Sequence, residues 1–166
     1  MQRLWTPWRM AYVTTTSEPH ACVFCAAQDA TDPGPAALTV FRGRTCFVIL
    51  NLYPYNNGHL MVVPYRHVPT LDGMHDDERT ELMELTRRSE VALTEAYHPH
   101  GINVGINLGR AAGAGVVDHL HVHLVPRWSG DTNFMAVVGD TRVLPEDLQQ
   151  SAARLRPVFE RLAASR

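Results

Sequence analysis

Asp118-His119-Leu120-His121-Val122-His123-Leu124-Val125-Pro126 sets three histidines in alternation with aliphatic residues. Successive side chains of a strand point to opposite faces, so a strand here would put His119, His121 and His123 on one face and Leu120, Val122 and Leu124 on the other. The aliphatic set marks the side that faces a core. The histidines then form a row of imidazoles roughly 7 Å apart, from a rise of about 3.3 Å per residue. Three imidazoles on one face cost stability, and their clustering points to chemistry.

Working outward, the flanking sequence supplies more strands and few helices. Leu38-Thr39-Val40-Phe41 and Thr45 to Asn51 predict a hairpin around Gly43, and Asn57-Gly58 is a tight-turn signal before a third strand, His59 to Pro64. Asp76 to about Tyr97 predicts a helix, with acids in its first turn, apolar Leu82, Leu85, Ala92, Leu93 and Ala96, and a stop at Pro99 and Gly101. Ile102 to Leu108 is a fourth strand, followed by a small-residue loop, Gly109 to Gly115, and then the histidine strand. Met135 to Gly139 is a candidate edge strand. Pro145 to about Ala163 predicts a C-terminal helix that Pro157 can kink or restart. Strands grouped around one central helix with hairpin-length turns imply an α+β fold: an antiparallel sheet of about five strands, a central helix and a C-terminal helix. The expected organisation is a single domain over residues 1–166, with 1–20 as an N-terminal packing arm (Trp5, Trp8 and Tyr12 at helical spacing, Pro7 among them) and 21–166 as the core.

Composition narrows the function classes. The chain has 166 residues, 45% hydrophobic, enough to fill one core. Its net charge is −2 and it has no Lys/Arg block, which argues against a nucleic-acid groove. No apolar run approaches the roughly 18 residues of a membrane span, and Met1 to Trp8 lacks the apolar core of a signal peptide, so a cytoplasmic location is expected. Three cysteines, Cys22, Cys25 and Cys46, do not make a disulfide scaffold. Cys22-x-x-Cys25 reads as a redox pair, as two buried thiols, or as half of a metal site; no strand leads into it and no clear helix signal begins there. Cys46 belongs to a strand pattern and is expected in the core. His20, His75, His98 and His100 fall in turns or at helix ends and are expected at the surface.

Other histidine chemistries fit the neighbours poorly. A barrel hydrolase with H-x-H needs a domain of roughly 250 residues. A metallo-β-lactamase-like site places its aspartate after the second histidine, and a cupin-like site wants a glutamate where this chain has Pro126, Arg127 and Trp128. The H-x-H-x-H run closed by Val125-Pro126-Arg127 resembles the histidine-triad family of nucleotidyl hydrolases and transferases. Asn57 to Pro64 looks like the family's G-H-x-L-V-x-P strand. That resemblance implies an α+β homodimer with a nucleotide cleft and no organic cofactor. It implies His121 as the nucleophile, with His123 and His119 in the catalytic set. His59, Asn51, Asn107, Gly113 and Gly115 fall where the family contacts nucleotide and phosphate. Arg3 to Met10, Asn51 to Asn56 and Trp128 to Phe134 resemble the bacterial branch that includes diadenosine tetraphosphate phosphorylases, which use phosphate in place of water. Many family hydrolases carry Gln four residues before the first triad histidine; this chain has Gly115.

The resemblance also extends to the cysteines. Some bacterial triad proteins hold a structural zinc with C-x-x-C, a histidine after the V-x-P strand and the first triad histidine, which here are Cys22, Cys25, His67 and His119. Cys₂His₂ is an ordinary closed zinc set. The expected activity is cleavage of dinucleoside polyphosphates with phosphate as acceptor. The alternatives are hydrolysis of such nucleotides or of nucleoside phosphoramidates, a nucleotide sensor without turnover, and a catalytic metal held by the three histidines.

Overall fold

A computed structural model describes residues 22–29, 38–131 and 146–164. The N-terminal arm, His20, Met135 to Gly139 and Pro145 lie outside the described residues. In chain order the elements are α1 (Val23–Asp29), β1 (Thr39–Arg42), β2 (Cys46–Leu50), β3 (Leu60–Pro64), α2 (Asp76–Tyr97), β4 (Gly101–Ile106), β5 (Val122–Arg127) and α3 (Leu148–Ala164), with a 3₁₀ turn over Arg110–Ala112. The five strands form one sheet in the order β1-β2-β3-β5-β4, and every neighbouring pair is antiparallel. This is the α+β architecture that the strand and helix signals predict.

The sheet and two helices share one core. α2 packs on β2, β3 and β5, and α3 packs on α2 and β1. Phe47, Leu60, Leu82, Leu85, Leu93, Leu155 and Phe159 are fully buried between them. α2 starts where its acids predict: the Glu78 carboxylate accepts the His75 N–H at 2.7 Å and takes a bidentate pair from Arg66. The arginine beside it holds that carboxyl far below its usual range, to about 2. The helix stops at Tyr97, two residues before Pro99, because His98 adopts a left-handed conformation (φ 46°) and returns its N–H to Thr94 O. α3 is continuous through Pro157.

Two sequence expectations need correction. A helix does begin at the cysteine pair: α1 is only seven residues, too short to stand alone. It forms because Phe24 and Ala27, three apart, are buried against the core, and tertiary packing supplies what local propensity lacks. The histidine strand is also shorter than its alternation suggests. β5 starts at Val122, since the Leu120 N–H donates to Val68 O at 2.7 Å and leaves the sheet ladder. Leu120, Val122 and Leu124 are still buried as the alternation requires, but His119 lies in a bend and serves a different centre from His123.

Candidate active site and metal centre

β5 enters the sheet between β3 and β4, which brings His123 opposite Met61 and Gly105. The Asn57-Gly58 turn then sets His59 beside it. Gly58 has φ +70° and passes so close to α2 that a Cβ would sit 2.8 Å from the Tyr97 ring, so only glycine fits. His59 is completely buried. Its Nδ1 accepts the Tyr55 backbone N–H at 3.1 Å, and its Nε2 lies 2.9 Å from Nδ1 of His123. A backbone N–H is an unambiguous donor, so the chain of assignments is fixed: His59 carries its proton on Nε2 and donates to His123 Nδ1. His123 in turn carries its proton on Nε2, the nitrogen this relay leaves unused.

His121 is fixed the opposite way. Its Nδ1 lies 2.8 Å from the carbonyl oxygen of His119, which only accepts, so Nδ1 holds the proton and Nε2 holds the lone pair. The rings of His121 and His123 are 4.7 Å apart, and Phe24 of α1 packs on His121 at 4.9 Å. The result is a nucleophilic nitrogen next to an N–H donor. Burial pulls His121 below the ordinary histidine range and His123 down to about 4, so both rings are neutral at pH 7.

A pH dependence follows from these shifts. Attack by His121 Nε2 requires the neutral ring, so for any reaction that uses it kcat/KM should hold near pH 7 and decline only below the ordinary imidazole range of about 6.5. Stability should move in the same direction. Between about 6.5 and the lower native values the unfolded chain binds protons on His121 and His123 that the native state does not. The unfolding free energy therefore falls as pH drops from about 6.5 toward 4. Denaturant midpoints at pH 7.5 and 5 check it: an unchanged or higher midpoint at pH 5 would overturn the assignment.

The four cysteine and histidine residues named from sequence do converge. The ligand atoms of Cys22, Cys25, His67 and His119 all lie within 4.8 Å of one another. Cys22 Sγ and Cys25 Sγ sit 3.3 and 3.7 Å from His119 Nδ1, and Cys25 Sγ sits 3.3 Å from His67 Nδ1. Tetrahedral bonds of 2.0–2.3 Å give sulfur–nitrogen edges of about 3.6 Å, so these gaps have the size a shared cation needs. The donors are also aimed correctly. His119 is fully buried and donates Nε2–H to Pro64 O at 2.9 Å, which turns its Nδ1 lone pair toward the two thiols. His119 thus touches both centres: its ring faces the cysteines and its carbonyl holds His121.

Asn51 is committed to its own loop, with Oδ1 accepting the Tyr53 N–H and Nδ2 lying 3.4 Å from His59 Nδ1. His59 spends Nδ1 on the Tyr55 N–H and Nε2 on His123. Asn107 is half-buried one step past the Ile106–Val122 pair, at the end of the sheet where β5 begins. Gly113 is half-buried and Gly115 exposed in the loop that follows. Cys46 is buried in the core, where desolvation raises its thiol to about 12. His75, His98 and His100 are exposed, as expected. Sequence reasoning missed the Tyr55 amide, the Pro64 carbonyl and Phe24. It also missed the clasp in which Asn56 bonds Pro126 O and Asp131, itself paired with Arg127. Two of these are backbone groups that carry no residue signal, while Phe24 between the cysteines was legible as an apolar anchor. A groove of about 400 Å³ between α2 and β4, lined by Glu90, Thr94 and Val104 among others, contains none of these histidines and is set apart from the site.

Comparison with known proteins agrees with this geometry. The HIT domain model matches residues 36–130. An AP-4-A phosphorylase of Mycobacterium tuberculosis is 42% identical over 169 residues, spanning 97% of this chain and 86% of that protein. A bis(5'-adenosyl)-triphosphatase of Dictyostelium discoideum is 30% identical, spanning 72% of this chain and 84% of its own. Among solved structures, a Zn-bound histidine triad family protein from Mycobacterium smegmatis superimposes with a TM-score of 0.68 at 28% identity, covering 88% of this chain and 98% of that one. Likeness of this extent means that the chain belongs to the histidine-triad (HIT) family.

Proposed function

We propose that this protein is a nucleotidyl transferase that splits dinucleoside polyphosphates such as diadenosine tetraphosphate, with inorganic phosphate as the acceptor. The observation that carries the reading is the 2.8 Å bond from His121 Nδ1–H to the His119 carbonyl, which leaves Nε2 as a neutral, aimed nucleophile. In the first half-reaction that nitrogen attacks an α-phosphorus. A P–N bond forms, the bridging P–O bond breaks, and the departing nucleoside polyphosphate takes a hydrogen bond from His123 Nε2–H. The His119 carbonyl stabilises the positive charge that develops on the His121 ring. In the second, a phosphate oxygen attacks the same phosphorus, the P–N bond breaks, and His121 returns to its neutral form. Diadenosine tetraphosphate thus gives ATP first and ADP second.

The phosphate acceptor is supported by the 42% identical M. tuberculosis relative, named as a phosphorylase, and by Gly115 where many family hydrolases have glutamine. Asn107, Gly113 and Gly115 would offer amide and backbone contacts to the phosphates, and Asn51 would order the ribose-side loop. Cys22, Cys25, His67 and His119 would hold a zinc ion as a closed set, whose chemistry is to fix structure and not to bind substrate. We place the protein in the cytoplasm, where such thiolates stay reduced, and as a homodimer. β4 supports the dimer, since it is a sheet edge with Val104 54% exposed; its mass in solution checks that. No described helix is long and apolar enough to cross a membrane, and nothing in the charge pattern favours nucleic acid.

Product analysis of diadenosine tetraphosphate turnover, with and without inorganic phosphate, tests the activity. ADP with ATP, formed only when phosphate is present, is the expected result. AMP with ATP in the absence of phosphate would instead assign water as acceptor, the reading that the Dictyostelium relative's name supports. No product from any dinucleoside polyphosphate would overturn the proposal.

A further inference from the structure

All 15 basic residues of this chain are arginines, and almost every described one is engaged. Arg44, Arg79, Arg87, Arg127, Arg154 and Arg161 pair with carboxylates, and Arg42 and Arg156 bond backbone carbonyls. Among the described residues Arg110 alone has no acceptor. It is exposed and opens the 3₁₀ turn Arg110–Ala112. That turn is closed on itself: Gly113 N–H returns to Arg110 O, Ala114 N–H returns to Gly109 O, and both flanking glycines have positive φ. Its position is set by the sheet. β4 pairs with β5 up to Ile106–Val122, so Asn107 leaves the sheet at the end where His121 leads into β5, and Arg110 follows Asn107 after at most about 11 Å of chain. A guanidinium on a rigid turn at this end of the sheet is the one described cation left to meet a multiply charged anion beside the nucleophile.

We propose that Arg110 is a specificity-determining residue that reads the phosphates beyond the one under attack, so that the site prefers dinucleoside polyphosphates to mononucleotides. The inference rests on the nucleotidyl-transfer reading above. Its chemistry is that of a planar fork of donors pairing bidentately with phosphoryl oxygens, which lysine reproduces only as a point charge.

The test is equilibrium binding to the full-length protein, which requires no turnover. The probes are AMP and a methylene-bridged, non-cleavable analogue of diadenosine tetraphosphate, against wild type, Arg110→Ala and Arg110→Lys. The expected result is that AMP affinity stays within about twofold while Arg110→Ala weakens the analogue by roughly ten- to a hundredfold, the range for one charged hydrogen-bonded contact. Arg110→Lys should fall between the two. Equal weakening of both probes, no weakening of either, or a wild type that binds the analogue no tighter than AMP would each overturn the proposal. Failure of the underlying activity would look different: the analogue would bind in an Arg110-dependent way, yet diadenosine tetraphosphate itself would not be cleaved.

Discussion

Replacing His121 with alanine is expected to lower kcat by on the order of 10⁴-fold or more, the scale at which removing a covalent nucleophile is felt. The size of the effect comes from what the residue alone supplies. His121 offers an Nε2 lone pair fixed by the Nδ1 bond to the His119 carbonyl, and no other described ring is held in that sense. His123 presents the opposite nitrogen, because its Nδ1 is occupied by His59, so it cannot take over the attack. Its own replacement by alanine removes a donor and should cost about 10²- to 10³-fold, within the range of general acid catalysis. Since His121 is buried, an alanine there also leaves a space against Phe24. His121→Asn guards against misreading: its amide N–H can still reach the His119 carbonyl while nothing nucleophilic replaces the ring. An asparagine variant that folds, binds AMP and has no turnover is the expected outcome. Measurable turnover in it, or a covalent nucleotide on any other residue, would remove His121 from its role.

How much of this was open to a reader of the sequence depends on the kind of group. The sheet and helices were legible because alternation and capping are local: Asp76 to Tyr97 matches to the residue, and the hairpin strands match within a residue or two. The gathering of Cys22, Cys25, His67 and His119 was legible only through resemblance, since the chain distances between them carry no geometry. The histidine run misled in one respect. Its period of two is real in the burial of Leu120, Val122 and Leu124, yet it hid the division of labour, because the point where the strand begins is set by the Val68 carbonyl in a distant loop. The tautomers were not legible at all. They depend on the Tyr55 amide, the His119 carbonyl and the Pro64 carbonyl, which any sequence would possess.

On the proposed mechanism, that division of labour would make the cysteines matter to catalysis without their touching the reacting atoms. His119 is one residue with two duties: its imidazole faces the thiols, and its carbonyl is the acceptor that orients His121. Cys22→Ser should therefore act at three levels. The purified wild type should carry about one zinc per chain, and the variant should lose it, as should wild type treated with a strong chelator. Losing a closed Cys₂His₂ set removes the tie between α1, the loop after β3 and the start of β5. A loss of roughly 3–5 kcal/mol follows, or a drop of about 6–20 °C in Tm for a domain of this size. Activity at a temperature where the variant is still folded should fall by about ten- to a hundredfold, as it does when groups behind a functional ligand are removed. That fall should appear in kcat more than in KM, because the nucleophile loses its alignment while the nucleotide contacts stay. The three levels are separable by atomic absorption, thermal melting and steady-state kinetics on the same preparation. If Cys22→Ser kept its zinc, the metal would belong to the triad histidines, and His121 would be a ligand in place of a nucleophile. If the variant lost its zinc and some stability but kept full kcat, the ring and the carbonyl of His119 would be independent, and the cysteines would support the fold alone.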